Sequence, residues 1–147
     1  MTAQLPLQVE PIGYVTTSYT DLSRTPSQAA EDAHATGTVV VRDDLVDGLL
    51  GLERYPFLWL VTWLHAGGTV PAELHVVPRA KEARGEIQGV FASRAPRRPN
   101  PIGISLVRQI RIVDNVITFA GVDLINGTPV LDIKPWFADC DDPSVLA

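Results

Sequence analysis

Two segments of this chain carry residue types and spacings suited to chemistry. The first runs Arg94-Ala95-Pro96-Arg97-Arg98-Pro99-Asn100-Pro101. Its prolines fix φ and remove backbone donors, so it can be neither a helix nor a central strand. It is a stiff, arginine-rich loop between apolar stretches. It reads either as a rigid turn with its charges in water or as a preorganised site for an anion or carboxylate. Guanidinium forks suit bidentate contacts of the second kind. The second segment runs Asp123-Leu124-Ile125-Asn126-Gly127-Thr128-Pro129-Val130-Leu131-Asp132-Ile133-Lys134-Pro135-Trp136. Asn126-Gly127 marks a turn with φ above zero. Asp132 and Lys134 are two apart, so on a strand they share a face. Spacing alone favours a modest ion pair between them. The alternative makes Asp132 an acceptor or base, with Trp136 as a stacking wall.

Other chemical residues stand alone. His65 follows an aromatic stretch, and a lone histidine is more often structural than catalytic. His34 and His75 have no ligand-like spacing to it, so no metal site is expected. Cys140 is the single cysteine. It can form neither a disulfide framework nor a cysteine zinc site within one chain, and it has no histidine partner in sequence.

The elements that must position these segments are mostly strands. Val9 to Val15 reads as a short strand broken by Pro11 and Gly13, and the polar stretch 16–31, with Pro26, as an ordered loop or mobile lid. Thr38 to Val41 has the β-branched apolar signature of a buried strand. Asp43 and Asp44, followed by Leu45, Val46, Leu49, Leu50 and Leu52, predict a short helix with an acidic start. Phe57 to Leu64 reads as a central strand, with Trp59 and Trp63 sharing a face that is expected to pack in the core. Glu73 to Val77 and Ile87 to Ala92 are further strands. Ile102, Ile104, Leu106, Ile110 and Ile112 recur with period two. Asp114-Asn115 predicts a tight turn, with Val116 to Leu124 pairing back as a hairpin. Val130 to Ile133 is a last short strand.

The expected fold is therefore mostly β: a single antiparallel or mixed barrel-like sheet with one or two short helices. A doubly wound Rossmann-type sandwich needs alternating strands and long helices, and a Gly-rich turn after its first strand. Neither is visible.

Composition bounds the function classes. The chain has 147 residues, a hydrophobic fraction of 46% and a charged fraction of 20%, enough to bury a core in one domain. Net charge is −5, so any grip on nucleic-acid phosphates must come from a local basic patch. Arg79, Lys81, Arg84, Arg94, Arg97 and Arg98 supply one. The start of the chain lacks the pattern of a signal peptide, and the run Phe57 to Leu64 is too short to span a bilayer, so no membrane partner is expected. Cysteine usage fits a cytoplasmic location.

Gly89-Val90-Phe91-Ala92-Ser93-Arg94, then Arg98-Pro99-Asn100-Pro101-Ile102-Gly103, then Asn126-Gly127-Thr128-Pro129-Val130-Leu131-Asp132-Ile133-Lys134-Pro135, closely resemble the TrmO-like (TsaA/YaeB) family. Pro11-Ile12-Gly13, Gly51-Leu52-Glu53, Leu58-Trp59 and His65 support the match, which runs from about Val9 to Phe137. The resemblance implies an S-adenosylmethionine-dependent methyltransferase on a β-barrel scaffold. It implies a homodimer, with the cofactor in a crevice near the subunit interface. The family's best-known activity is N6-methylation of threonylcarbamoyl-adenosine beside the anticodon of certain tRNAs.

Carried over by motif, the cofactor is expected at Pro26, Ser27, Gln28, His65, Arg94, Ile104 and the turn Asn126, Gly127, Thr128 and Pro129. Asp132 and Trp136 are the expected catalytic residues on the substrate side, with Arg98, Asn100 and Lys134 toward the substrate. A single domain of this type over 1–147, with no additional C-terminal domain, is expected. The chain departs from the family pattern at Ser27, where an arginine is common, at Asn126 (commonly Asp) and at Trp136 (commonly Tyr). These changes spare most of the cofactor frame and fall harder on the acceptor side. A small-molecule acceptor, or a cofactor-binding protein without the reaction, are the alternatives to tRNA.

Overall fold

The computed structural model describes residues 6–21, 23–26, 32–67, 73–78 and 84–147. Among them are eight strands: β1 (Gly13–Thr16), β2 (Thr36–Val41), β3 (Phe57–Trp63), β4 (His75–Val76), β5 (Gln88–Gly89), β6 (Ile102–Val113), β7 (Val116–Ala120) and β8 (Pro129–Pro135). Six close into a barrel in the order β1-β2-β7-β6-β3-β8, while β4 and β5 pair as a separate ribbon. Every pairing is antiparallel. The seam between β1 and β8 is short, with Gly13 opposite Val130 and Tyr14 opposite Pro129.

Closure dictates the inside. Val15, Val39, Val41, Leu58, Leu60, Val107, Ile117, Phe119 and Val130 fill it and are buried. Burying each such side chain stabilises the fold by about 1.5–3 kcal/mol before entropy is counted. Compact branched side chains suit a narrow barrel. The indoles of Trp59 and Trp63 do not join them. On β3, the inward positions belong to Leu58, Leu60 and Thr62, so the core packing expected of these tryptophans is replaced by half-exposed places on the outer face.

Two bulges adjust the alternation. Between β6 and β7 the register shifts between Gln109 and Arg111. Ser105 and Val107 point inward before the shift, whereas Ile112 packs on the core after it. Between β3 and β8, Val61 opposes Asp132 but Thr62 opposes Val130, so Leu131 is the extra residue. The inward side chains of β8 are thus Val130 and Ile133, and Asp132 is turned outward.

Several sequence-based boundaries move. Pairing in the first strand starts only at Gly13. Past Gln88–Gly89 the chain turns into a 3-10 helix, Val90–Ala92, instead of extending as a strand. Strand β7 stops at Ala120, where Gly121 adopts φ 85°. Residues 121–124 then leave the sheet, and Val122 and Leu124 drop into the core. The expected helix after Asp43 is two 3-10 pieces, Asp43–Leu49 and Leu52–Arg54. The one α-helix among the described residues is α1, Ala138–Asp141.

In the polar stretch after β1, the described residues form neither helix nor strand. Thr17 Oγ1 donates to the Leu124 carbonyl at 3.1 Å and accepts from Tyr19 N. The Tyr19 hydroxyl donates to the Asp32 carboxylate at 2.8 Å, closing the segment that carries Pro26. Inside it, Asp21 accepts from the Ser23 hydroxyl and from the amides of Ser23 and Arg24. The Ser23 hydroxyl bond holds the Asp21 carboxyl below its usual range, with the two amide bonds adding to the effect.

Phe119→Ala is expected to cost about 3–5 kcal/mol, read as a lower midpoint in denaturant unfolding. The hydrogen bond to Asp32, then burial, then the repulsion of its charge push the Tyr19 phenol above its ordinary range. A raised folded-state pKa makes the clasp's contribution complete below the ordinary tyrosine value and lost as pH climbs through the raised one. In an alkaline absorbance titration Tyr19 should ionise after the free phenol, and Asp32→Asn should remove the delay. A Tyr19 signal unmoved by Asp32→Asn would sink that account.

Candidate active site

The register gathers the candidate residues at one end of the barrel. There β1 ends at Thr16, β2 begins at Thr36, β3 ends at Trp63, β6 begins at Ile102, β7 ends at Ala120 and β8 begins at Pro129. His65 lies on the 3-10 turn His65–Gly67 just past β3. The arginine loop enters β6 at the same end, and Leu64 N donates to the Pro101 carbonyl at 2.7 Å. The turn Asn126 to Pro129 enters β8 there. Pro26 is half-buried in the loop closed by Tyr19 and Asp32. Ser27 and Gln28, together with Arg79 and Lys81 of the basic stretch, lie outside the described residues.

The turn before β8 is built by hydrogen bonds to the end of β1. Gly127 N donates to the Val15 carbonyl and Asn126 N to the Tyr19 carbonyl, both at 2.8 Å. Thr128 is buried, and its hydroxyl donates to the Ile125 carbonyl at 2.6 Å. Asn126 Oδ1 accepts from Thr17 N at 3.1 Å, so its amide NH2 is the end that faces outward to donate. Gly127 sits at φ 82°, and a Cβ there would meet nothing within 4 Å. The turn therefore presents a donor and bare backbone to open space.

The arginine loop is braced from within. Arg98 Nη1 donates to the carbonyls of Ser93 at 3.0 Å and Ala95 at 3.2 Å. Ser93 Oγ donates to the Val90 carbonyl and accepts from Ala95 N. Arg98 thus ties down the loop, while the Arg94, Arg97 and Asn100 side chains are exposed. The exposed side chains of Arg94 and Asn126 and the apolar, 51% exposed Ile104 are the groups at this end whose chemistry suits a carboxylate-bearing adenosine cofactor.

Asp132 lies beside this set. It opposes Val61 on β3, which in turn opposes Ile104 on β6, so the three form one row on the outer face. Its Oδ2 pairs with Lys134 Nζ at 2.9 Å, and Oδ1 accepts from Ile133 N. Of the two alternatives read from the spacing, the ion pair is the one the structure forms. Such an exposed pair is worth at most about 1 kcal/mol.

Trp136 is set apart. Its indole meets Phe57 edge-to-face at 6.1 Å between centroids, where β3 begins. Seven residues of strand separate it from Pro129, roughly 23 Å at about 3.3 Å per residue. Within one chain, Asp132 joins the cofactor candidates and Trp136 does not. A recess of about 650 Å³ opens at the far end, lined by Val46, Asp47, Leu49, Leu50, Glu53, Ile112 and Asp114. It carries carboxylates but none of the candidate residues.

Sequence reading passed over Thr17, Tyr19 and Asp32, which frame the site, and Ser105, whose hydroxyl donates to Asp123 at 2.6 Å. Thr17 and Tyr19 act through partners more than a hundred residues away or through main-chain groups, which leaves no local signal. Ser105 had one: a polar residue on the face of β6 opposite its isoleucines.

The model for the tRNA-methyltransferase O N-terminal domain family matches residues 14–142. The tRNA (adenine(37)-N6)-methyltransferase of Mus musculus is 34% identical over 145 residues, covering 96% of this chain, which spans 33% of that protein's length. A probable S-adenosyl-L-methionine-binding protein of Pyrococcus abyssi is 37% identical, covering 93% of this chain and 73% of its own. Crystal structures of TrmO from Pseudomonas aeruginosa superpose with TM-scores of 0.76 and 0.74, at 31% and 34% identity. They cover 96% and 93% of this chain and 59% of theirs. With a family match across nearly all of its strands, the chain belongs to the tRNA-methyltransferase O N-terminal domain family.

Proposed function

We propose that this chain is an S-adenosylmethionine-dependent methyltransferase that modifies N6 of an adenosine in tRNA, working as a homodimer in the cytoplasm. The observation that supports the reading is that three distant segments meet at one barrel end: His65 past β3, the arginine loop leading to Ile104, and the Asn126–Pro129 turn. Relatives named as adenine-N6 tRNA methyltransferases and as probable S-adenosylmethionine-binding proteins support the same chemistry. S-adenosylmethionine supplies an electrophilic methyl group, so the protein's task is to hold acceptor and methyl in line.

In this reading Arg94 binds the cofactor carboxylate, and the Asn126 amide with the turn through Gly127, Thr128 and Pro129 reads the adenosine. Ile104 forms an apolar wall, with His65, Pro26, Ser27 and Gln28 completing the site. Asp132 accepts the proton released from the acceptor nitrogen, leaving its pairing with Lys134 to do so. Lys134 and Asn100 then meet the substrate's phosphates. Arg98 keeps the arginine loop rigid while offering its remaining donors to the substrate.

The outer face supports the dimer. Ile102, Ile104 and Leu106 are 44%, 51% and 39% exposed. Beside them run Trp59, Val61 and Trp63, an apolar surface that a soluble monomer rarely leaves open. A twofold axis lying in that face and crossing its strands would set one copy's Trp136 end against the other's cofactor end. That arrangement reunites Trp136 with the site across the interface.

A small-molecule acceptor is the second reading. It is favoured by the net charge of −5 and by the engagement of Arg98 with its own loop. Incubation with labelled methyl donor, tRNA and a small-molecule extract separates the two. We expect label in tRNA, falling steeply as salt rises. Label confined to small molecules and indifferent to salt would overturn the tRNA assignment.

Arg94→Ala should weaken cofactor binding in calorimetry by roughly tenfold or more, the worth of a charge-assisted hydrogen bond. Unchanged affinity would remove Arg94 from the site. Leu106→Glu is expected to convert the dimer to a monomer in sedimentation, and a native chain that sediments as a monomer would refute the interface.

A further inference from the structure

We propose that Ser105 and Asp123 are positioning residues for the methyl-donor site, their part-buried hydrogen bond setting the Asn126–Pro129 turn against the start of β6. The inference rests on the cofactor reading given above. It begins from an anomaly inside the barrel. Where β3 and β6 approach the site end, the inward positions are Thr62, Gly103 and Ser105, and not the aliphatic residues found elsewhere. Thr62 is 0% exposed and its hydroxyl has no hydrogen-bond partner. Gly103 opposes it, and a Cβ there would come within 2.9 Å of that hydroxyl and 2.7 Å of Leu64 Cδ2. Ser105 is 4% exposed.

Buried hydroxyls are costly beside an aliphatic core, so stability alone would favour valine or alanine at position 105. What Ser105 does instead is specific. Its Oγ donates to Asp123 Oδ1 at 2.6 Å, a part-buried hydrogen bond to a carboxylate. Asp123 stands between Val122 and Leu124, the two residues that close the barrel mouth. Two residues past Leu124 the chain reaches Asn126. On the other strand, Ser105 directly follows Ile104. One side-chain bond therefore spans 18 residues of sequence and couples two separate cofactor segments. The backbone bonds of the turn tie it to β1, and Ser105–Asp123 adds a direct side-chain tie from the segment before the turn to β6.

The test compares the wild-type chain with Ser105→Ala, Ser105→Thr and Ser105→Val. Binding of S-adenosylmethionine is measured by calorimetry, folding by thermal denaturation, and the turn by amide hydrogen exchange without ligand. In Ser105→Ala we expect affinity to fall roughly tenfold, the worth of a hydrogen bond to a charged group. Exchange should quicken at Asn126 and Gly127 while β3 and β7 stay protected. Ser105→Thr, which keeps the hydroxyl, should restore both. A folded Ser105→Ala chain with native affinity and native exchange overturns the proposal, as does a loss that Ser105→Thr shares in full. Should Ser105→Ala not fold, Ser105→Val, isosteric with Ser105→Thr but lacking the hydroxyl, decides by the same readouts: native affinity and exchange overturn the proposal, and their combined loss in a folded chain upholds it. A wild-type chain that binds no S-adenosylmethionine fells the cofactor reading and this inference together. Native binding with an indifferent Ser105→Ala fells only the inference.

Discussion

Closing six antiparallel strands into a barrel decides, at every position, which side chain goes in and which stays out. So narrow a cylinder accepts valine, leucine, isoleucine and one phenylalanine, Phe119, and the core contains little else. On β3 the bulkier Trp59 and Trp63 are turned to the outer face. The same closure sets strand ends side by side, and the open end becomes the place where distant loops meet. Core, apolar exterior and candidate site are thus consequences of one geometric requirement.

Much of this architecture was legible in the sequence because strands announce themselves by period two and by β-branched residues. Phe57 to Trp63 and the Asp114-Asn115 turn are found where those signals stand. What period two cannot tell is which face looks inward. Ile102, Ile104 and Leu106 form the more apolar side of β6, yet the barrel takes Ser105 and Val107 inside. In a two-sided structure, the apolar side of a strand can belong to the core or to an interface, and only the neighbouring strands decide. The end of β7 shows a second limit. Val122 and Leu124 continue a hydrophobic pattern, but the positive φ of Gly121 takes them out of the sheet and into the barrel mouth.

The site was legible where its chemistry is compact in sequence. The prolines and arginines before β6 and the Asn126-Gly127 turn declare stiffness and special backbone by residue type alone. Residues that act through remote partners give no such sign. Asp132 illustrates an intermediate case. Its spacing to Lys134 foretold the ion pair, but its outward direction depends on the extra residue Leu131, and its neighbourhood with Ile104 on the pairing of three strands. The departure at Trp136 likewise gains meaning only from the fold, since the barrel's length separates that indole from the turn before β8.

The bonds between the start and the end of the chain bear on how the molecule is made. Thr17 N meets Asn126 Oδ1 across 109 residues of sequence, and Thr17 Oγ1 meets the Leu124 carbonyl across 107. Contacts of such separation pay the full entropy of loop closure and belong to slow, late steps of folding. The turn that carries Asn126 therefore acquires its shape only when β1 has docked on β8 and the cylinder is shut. The shape of that turn is thus tied to closure of the cylinder, and a ligand that bound only the closed form would stabilise it over open intermediates.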